Sequence, residues 1–303
     1  MATEPTPSLA RNEDSLRGFA FALTAYLLWG FLPIYMKMVA HIPPLEVLSH
    51  RVIWSIPIAG AVLLILRRTD DLKVALRSPR MLGMAALTAM LISFNWGIYV
   101  WAIGSGRALD TALGYFINPL FSIFLGAVLL KEKLKPTQIG AIGLAVAAVA
   151  VLTWDAGQLP WIALALTVSW GFYAFLRKTL PVGPNQGFML EVLILSVPAS
   201  LYIVYAEWTG QGHFLASGGY NTGLLLFSGV ATAVPLMIYA NGAKLLKLST
   251  IGIMQYIAPT MIFLIAVFVF KEPFGTARMI AFPMIWAALL IYTWPMIKEY
   301  RER

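Results

Sequence analysis

Leu113–Glu132 reads LGYFINPLFSIFLGAVLLKE, and 140 residues downstream Ile253–Glu272 reads IMQYIAPTMIFLIAVFVFKE. Asn118-Pro119 in the first stretch becomes Ala258-Pro259 in the second, and Lys131-Glu132 becomes Lys271-Glu272. The correspondence continues outward. Ile98-Tyr99 recurs as Ile238-Tyr239 at the same offset of 140, and Trp29-Gly30-Phe31 recurs as Trp170-Gly171-Phe172 at 141, with Lys37 matched by Lys178. Chance supplies one such match; an ordered series at one spacing marks a duplication.

Composition tells what has been duplicated. Of 303 residues, 59% are hydrophobic and 12% charged, with a mean hydropathy of +0.77. A soluble domain carries about 25% charged residues, so most of this apolar surface must face lipid or other helices. A spanning helix needs about 20 mostly apolar residues. Ten segments approach that, at 18–38, 45–66, 81–103, 109–130, 137–153, 160–177, 187–206, 221–243, 249–270 and 277–297. A turn at Trp154-Asp155-Ala156-Gly157 divides the fifth from the sixth. Each copy thus holds five helices. Five is odd, so the second copy enters the bilayer upside down, and inverted repeats of this kind are a transporter architecture. The expectation is an all-α membrane protein with ten transmembrane helices as two inverted five-helix repeats, over 18–153 and 160–297, with cytoplasmic tails at 1–17 and 298–303.

The formal charge of +8 invites a nucleic-acid reading. The basic residues instead lie in short loops, where they set membrane orientation. With the N-terminus inside, 17 of the 22 lysines and arginines fall on the cytoplasmic side; Lys37, Arg107, Lys271 and Arg278 fall outside, and Arg51 lies within the second helix. Both termini are therefore expected in the cytoplasm, with no nucleic-acid partner. The first apolar run is long enough to span and no A-x-A site closes a short one, so cleavage is not expected. The chain has no cysteine, which removes disulfides and thiolate metal sites.

AYLLWGFLPIYMK (25–37), PPLEVLSHRVIWS (43–55), NWGIYVWA (95–102), LGYFINPLFSIFLGAVLLKEKL (113–134), LPWIALAL (159–166) and LSTIGIMQYIAPTMIFLIAVFVFKE (248–272) together resemble the RarD group of EamA-type permeases in the drug/metabolite transporter superfamily. LSHRVIWS and LGYFINP carry the likeness to the group; a proline followed twelve residues later by Lys-Glu is shared across the superfamily. The resemblance covers nearly the whole chain. It implies a ten-helix, exporter-like fold in a bacterial inner membrane, and it brings a chloramphenicol-sensitivity label.

Ionisable groups inside spans are costly and face a cavity or one another. In helix 2, Glu46, His50 and Trp54 are four apart and stack on one face; Arg51 sits about 140° round from Glu46. Lys37, near the outer end of helix 1, is within reach of this group. Lys37, Glu46, His50 and Arg51 are expected to line an outer vestibule or to bind an anionic or zwitterionic substrate; the alternative is a structural ion-pair cluster locking helices 1 and 2. Lys178 mirrors Lys37, and Glu191 mirrors His50 from the cytoplasmic side. A direct Arg51–Glu191 pair is not expected; two charged gates, one at each end of a central cavity, fit better. Glu191 is alternatively the carrier of a coupling proton. Asn95, Tyr99, Tyr115 and Asn118, with Tyr239, Asn241, Gln255 and Tyr256, mark the substrate path, although tyrosine also anchors at interfaces and asparagine also bridges helices. Pro119 and Pro259 are repeat mates and the preferred hinges; static kinks are the alternative. Gly140, Gly143 and Ala147 read as a close-packing stripe. Lys131-Glu132 and Lys271-Glu272 read as interfacial caps.

A secondary transporter of a small metabolite or drug-like molecule, exporting it by alternating access, accounts for these features best. No P-loop, H-E-x-x-H or G-x-S-x-G occurs, which leaves little for an ATPase or intramembrane hydrolase. A passive channel is the remaining alternative. No cofactor or metal is expected; the partners are the substrate, the lipid bilayer and a coupling proton.

Overall fold

The computed structural model describes residues 15–301 except 68, 130–133, 135, 180, 182, 216–217, 244 and 247–253. Most of the expected N-terminal tail, residues 302–303, the Lys131-Glu132 cap, Lys133, Lys135, Lys244 and Lys247 lie outside the described residues, as do the side chains of Lys178 and of 298–301. Among the described residues every regular element is a helix. The long ones are α1 (Leu16–Met38), α2 (Pro44–Ile65), α4 (Pro79–Gly104), α5 (Ala108–Leu129), α6 (Pro136–Ala156), α7 (Trp161–Thr179), α8 (Pro184–Trp208), α9 (Gly219–Ala243) and α11 (Thr276–Arg301). A short helix, α3 (Thr69–Leu76), follows α2, and α10 (Ile257–Leu264) runs on as a π-helical turn over Ile265–Val269. Among the described residues seven helices are long and apolar enough to cross a bilayer, and Trp161–Arg177, Ile257–Val269 and Thr276–Tyr292 are apolar but shorter. The chain is a multi-pass membrane protein.

Local chemistry sets the ends of these helices. Ser15 and Ser78 cap α1 and α4 by accepting the amides of Gly18 and Met81, relieving orphan donors. Proline opens α2, α4, α6 and α8, where its missing N–H costs nothing. The expected turn at 154–157 is shorter than the sequence suggests. α6 continues through Trp154-Asp155-Ala156, and only Gly157, at φ +65, leaves it. At Pro259 the chain turns at Gln255 and Tyr256 before α10 begins, since a proline ring clashes with the carbonyl four residues earlier. Pro119 instead sits inside a continuous α5.

The two halves are interleaved. α1 packs on α9 and α10, and α7 packs on α4 and α5. α2 packs on α9 as α8 packs on α4, while α2–α8, α5–α10 and α6–α11 pair directly. If each helix is exchanged for its counterpart in the other half (α1 for α7, α2 for α8, α4 for α9, α5 for α10, α6 for α11), this set of pairings maps onto itself. The equivalence extends to single residues. A Cβ on Gly30 of α1 would lie 2.4 Å from Met261 Sδ in α10, and one on Gly171 of α7 would lie 2.4 Å from Phe121 Cδ1 in α5. Gly30 and Gly171 are repeat mates, and so are Phe121 and Met261.

Long-range contacts gather the connections at two ends. At one end His41 bonds Asn221, Glu46 bonds His213, and Asp110 bonds Arg278. At the other Ser15 bonds the Leu245 carbonyl and α3 packs on α8. The largest apolar core runs between α5, α6, α7, α10 and α11, with Phe116 and Phe282 fully buried. Leu64, Val146, Leu201 and Leu290 point outward from their helices, as lipid-facing side chains do. One packing expectation is overturned. Gly140, Gly143 and Ala147 are exposed, and a Cβ on either glycine would meet nothing within 4 Å. Ala141, Ala145, Ala148 and Leu152 are the buried face of α6 instead, where α11 packs. Gly140, Gly143 and Ala147 on one stripe and Ala141, Ala145 and Ala148 on the other are all small, so only the position of α11 decides between them.

Candidate functional site

The centre of the bundle holds a polar cluster built by five helices around Arg51. Two turns into α2, Arg51 is 3% exposed. Its Nε donates to Thr232 Oγ1 of α9 at 2.9 Å, and its guanidinium carbon lies 4.9 Å from the centroid of the Trp96 ring on α4. Tyr35, Tyr99 and Tyr115 are its electrostatic neighbours. Tyr99 and Tyr115 lie 5.9 Å apart, ring to ring. Tyr115 Oη donates to Asn95 Oδ1 at 3.5 Å, and Asn95 Nδ2 donates to Ser169 Oγ and the Leu166 carbonyl of α7 at 2.9 and 3.0 Å. Arg51, Asn95, Tyr99 and Tyr115, all expected on the substrate path, are thus brought together. Arg51 Nη1 and the Tyr99 hydroxyl are buried without a hydrogen-bond partner. Asn118 Oδ1, further along α5, is also buried and unpartnered.

Glu46 and His50 share a face of α2 with Trp54, as their spacing predicts. Trp54 Nε1 donates to His50 Nδ1 at 3.0 Å. An indole N–H can only donate, so Nδ1 is the bare nitrogen and the proton sits on Nε2, which is buried without a partner. The His50 ring lies on Phe214 with centroids 4.7 Å apart. Glu46, 1% exposed, accepts the His213 backbone N–H at 2.6 Å and pairs with His213 Nδ1 at 2.9 Å. Lys37 does not join this group. It is exposed at the end of α1, with Nζ 5.5 Å from the Phe270 ring centroid.

Glu191 enters from the opposite end, two turns into α8. It is 1% exposed, forms an ion pair with Arg177 Nε at 3.3 Å and accepts from Tyr173 Oη at 3.2 Å. As expected, it does not pair with Arg51. Tyr239 lies apart from Tyr99 in an aromatic triad with Tyr26 and Trp29, at 5.6 and 5.3 Å. Asn241 Nδ2 bonds the Met237 carbonyl of its own helix, a local bond. Gln255 and Tyr256 occupy the turn ahead of α10.

Glu272 is a cap, but of an unexpected helix. Its two carboxylate oxygens accept the Ala108 and Leu109 amides at 2.7 and 2.9 Å, closing the N-terminus of α5 in the other half. Asp110 beside them bridges Arg107 and Arg278 at 2.7 and 3.0 Å. Lys271 makes this reach possible by taking φ +56 at the end of the π turn, a left-handed position that a lysine occupies at some cost. Sequence reasoning missed His213, Arg177, Thr232 and Trp96 as partners; each lies far in the chain from its mate or reads as an ordinary helix residue.

Comparison with known proteins matches this architecture to one family. Residues 16–154 fit the model described as the EamA-like transporter family. Protein RarD of Streptomyces exfoliatus is 38% identical over 97% of this chain and 93% of its own length. The uncharacterized transporter YojE of Bacillus subtilis (strain 168) is 37% identical, covering 96% and 98%. A solved crystal structure 19% identical superposes with a TM-score of 0.58 over 91% of this chain and 96% of its own, which extends the likeness of fold. The chain belongs to the EamA-like transporter family, as a permease of the RarD type.

Proposed function

We propose that this permease is a secondary transporter with ten membrane crossings, in which two five-helix halves of opposite orientation rock about a shared centre. It would sit in a bacterial inner membrane with both termini in the cytoplasm and export a small metabolite or drug-like molecule. The observation that carries this reading is the self-consistent exchange of helix pairings, down to Gly30–Met261 against Gly171–Phe121. Two copies packed in this way have two equivalent arrangements that swap roles, which is the requirement of alternating access. The name of the Bacillus relative, a transporter, agrees with it.

The substrate path runs through the cluster of Arg51, Asn95, Tyr99 and Tyr115, with Asn118, Tyr239, Gln255 and Tyr256 further along. Glu46 with His50 and Glu191 with Arg177 form charged gates towards the two ends, and Lys37 serves at the outer rim. Pro119 and Pro259 act as hinges; the chain turn ahead of Pro259 supports flexing there. Glu191 carries the coupling proton. The purified protein in proteoliposomes, tested with a panel of labelled metabolites and drugs under imposed pH gradients, should show counterflow: accumulation of label driven by unlabelled substrate inside. Solute flux without counterflow would indicate a channel, and chemical conversion of the label an enzyme.

A further inference from the structure

A guanidinium withdrawn from water normally carries its counter-charge with it, because an uncompensated buried charge is expensive. Arg51 has none. It makes no ion pair among the described residues, and the buried carboxylates are committed elsewhere: Glu46 to His213, Glu191 to Arg177, Asp110 to Arg107 and Arg278, Glu272 to the α5 amides. Thr232 supplies one neutral acceptor and Trp96 one aromatic face, and these offset only part of the lost hydration. Nη1 is left buried with an unused donor, and the hydroxyl of neighbouring Tyr99 is unused too.

From this arrangement we infer that Arg51 Nη1 and the Tyr99 hydroxyl form the recognition site for an organic monoanion, a carboxylate with an apolar body. The inference rests on the transporter reading and names the substrate class of that same path. The carboxylate supplies the missing negative charge and accepts from both unused donors, as charge-assisted bonds of this kind favour. A single guanidinium matches a single charge, so a doubly charged phosphate would keep one charge without a partner. The ammonium of a zwitterion would find no uncommitted carboxylate among the described residues near Arg51. Trp96, Tyr99 and Tyr115 give the rest of the ligand aromatic surface, which fits a ring or short hydrocarbon. Only Arg51 of the expected Lys37–Glu46–His50–Arg51 group then carries the charge selectivity. Glu46 is spent on His213, and Lys37 is spent at the rim.

The test uses the full-length purified protein and three monocarboxylates, phenylacetate, benzoate and octanoate, each against its uncharged amide. Phenylalanine and phenyl phosphate serve as the zwitterion and the dianion. Ligand-induced thermal stabilisation and calorimetry read binding; counterflow of labelled phenylacetate reads transport. The expected result is that at least one carboxylate binds about tenfold or more tightly than its amide, the worth of one charge-assisted hydrogen bond. Arg51→Met should abolish that preference, Arg51→Lys should keep part of it, and Tyr99→Phe should weaken carboxylate binding while leaving the amide unchanged. The preference of the unaltered protein needs no variant, so a misfolded Arg51→Met cannot obscure the answer. Equal binding of acid and amide, tighter binding of phenylalanine or phenyl phosphate, or no binding by any of the three acids would overturn the inference. Selective binding without counterflow would keep the site and sink the carrier reading. Counterflow indifferent to ligand charge and to Arg51 would do the reverse.

Discussion

Replacing Gly30 by alanine adds one methyl group where α1 and α10 touch. That methyl would stand 2.4 Å from Met261 Sδ, 2.8 Å from its Cβ and 2.9 Å from its Cε. The thioether can swing away, but the Cβ is fixed to the α10 backbone. Ordinary contact begins near 3.4 Å, so the helices must part by 3.4 − 2.8 = 0.6 Å. Overpacking of this kind costs about 1–3 kcal/mol. Gly171→Ala creates the equivalent conflict between α7 and α5, with the new methyl 2.4 and 2.6 Å from Phe121 Cδ1 and Cε1. Here both offending atoms belong to a ring. The two lesions should therefore match in size and differ in rescue. Phe121→Ala removes the whole obstacle and should suppress Gly171→Ala fully, whereas Met261→Ala leaves its Cβ in place and should suppress Gly30→Ala only in part. Thermal denaturation of the detergent-purified protein, followed by loss of the monodisperse peak, gives the readout; each alanine should lower the midpoint by roughly 3–10 °C. If both alanines prove neutral, or if each adds to its partner truncation without suppression, the helices do not meet as described and the exchange symmetry loses its strongest support.

Glu272→Gln keeps the shape of the cap but can accept only one of the two α5 amides, leaving the other unsatisfied. A loss of about 2 kcal/mol is expected, with faster hydrogen exchange at Ala108 and Leu109; unchanged exchange would contradict the cross-half cap. Arg177→Met strands the Glu191 carboxylate in the interior and should cost about 3–5 kcal/mol, largely recovered by pairing it with Glu191→Met. If the single variant melts like the unaltered protein, the pair is not what holds Glu191 there. Glu191→Gln should abolish the response of counterflow to an imposed pH gradient while exchange itself persists; a retained response would remove Glu191 as the proton carrier.

The helices were legible because each span needs a long apolar run, and most ends fell within a few residues of those runs; the exception is the expected segment 249–270, where the chain turns at Gln255 and Tyr256 and α10 begins only at Ile257. α3 was not, since its eight residues leave no hydropathy signal. The proposed repeat rests on matched residues that keep their types in the sequence, Gly30 with Gly171 and Pro119 with Pro259. The partners were harder. His213 lies in a loop 167 residues from Glu46, and nothing in its surroundings marks it. Glu272 reads as the polar end of a helix, and its role depends on Lys271 adopting a left-handed backbone that no propensity favours. Arg51 shows the opposite case. Its cost inside a span points to it at once, but its lack of an ion pair among the described residues depends on the buried carboxylates Glu46, Asp110, Glu191 and Glu272 being engaged elsewhere, which no sequence pattern shows.

The antiparallel arrangement of the halves can be tested by single-cysteine labelling, since the chain has no native cysteine. Gln158→Cys lies between the halves, and Lys73→Cys lies in α3 at the opposite end. A membrane-impermeant maleimide applied to intact spheroplasts should label the first and reach the second only after permeabilisation. Labelling of both from the same side would mean that the copies share one orientation, and the account of alternating access would fail with it.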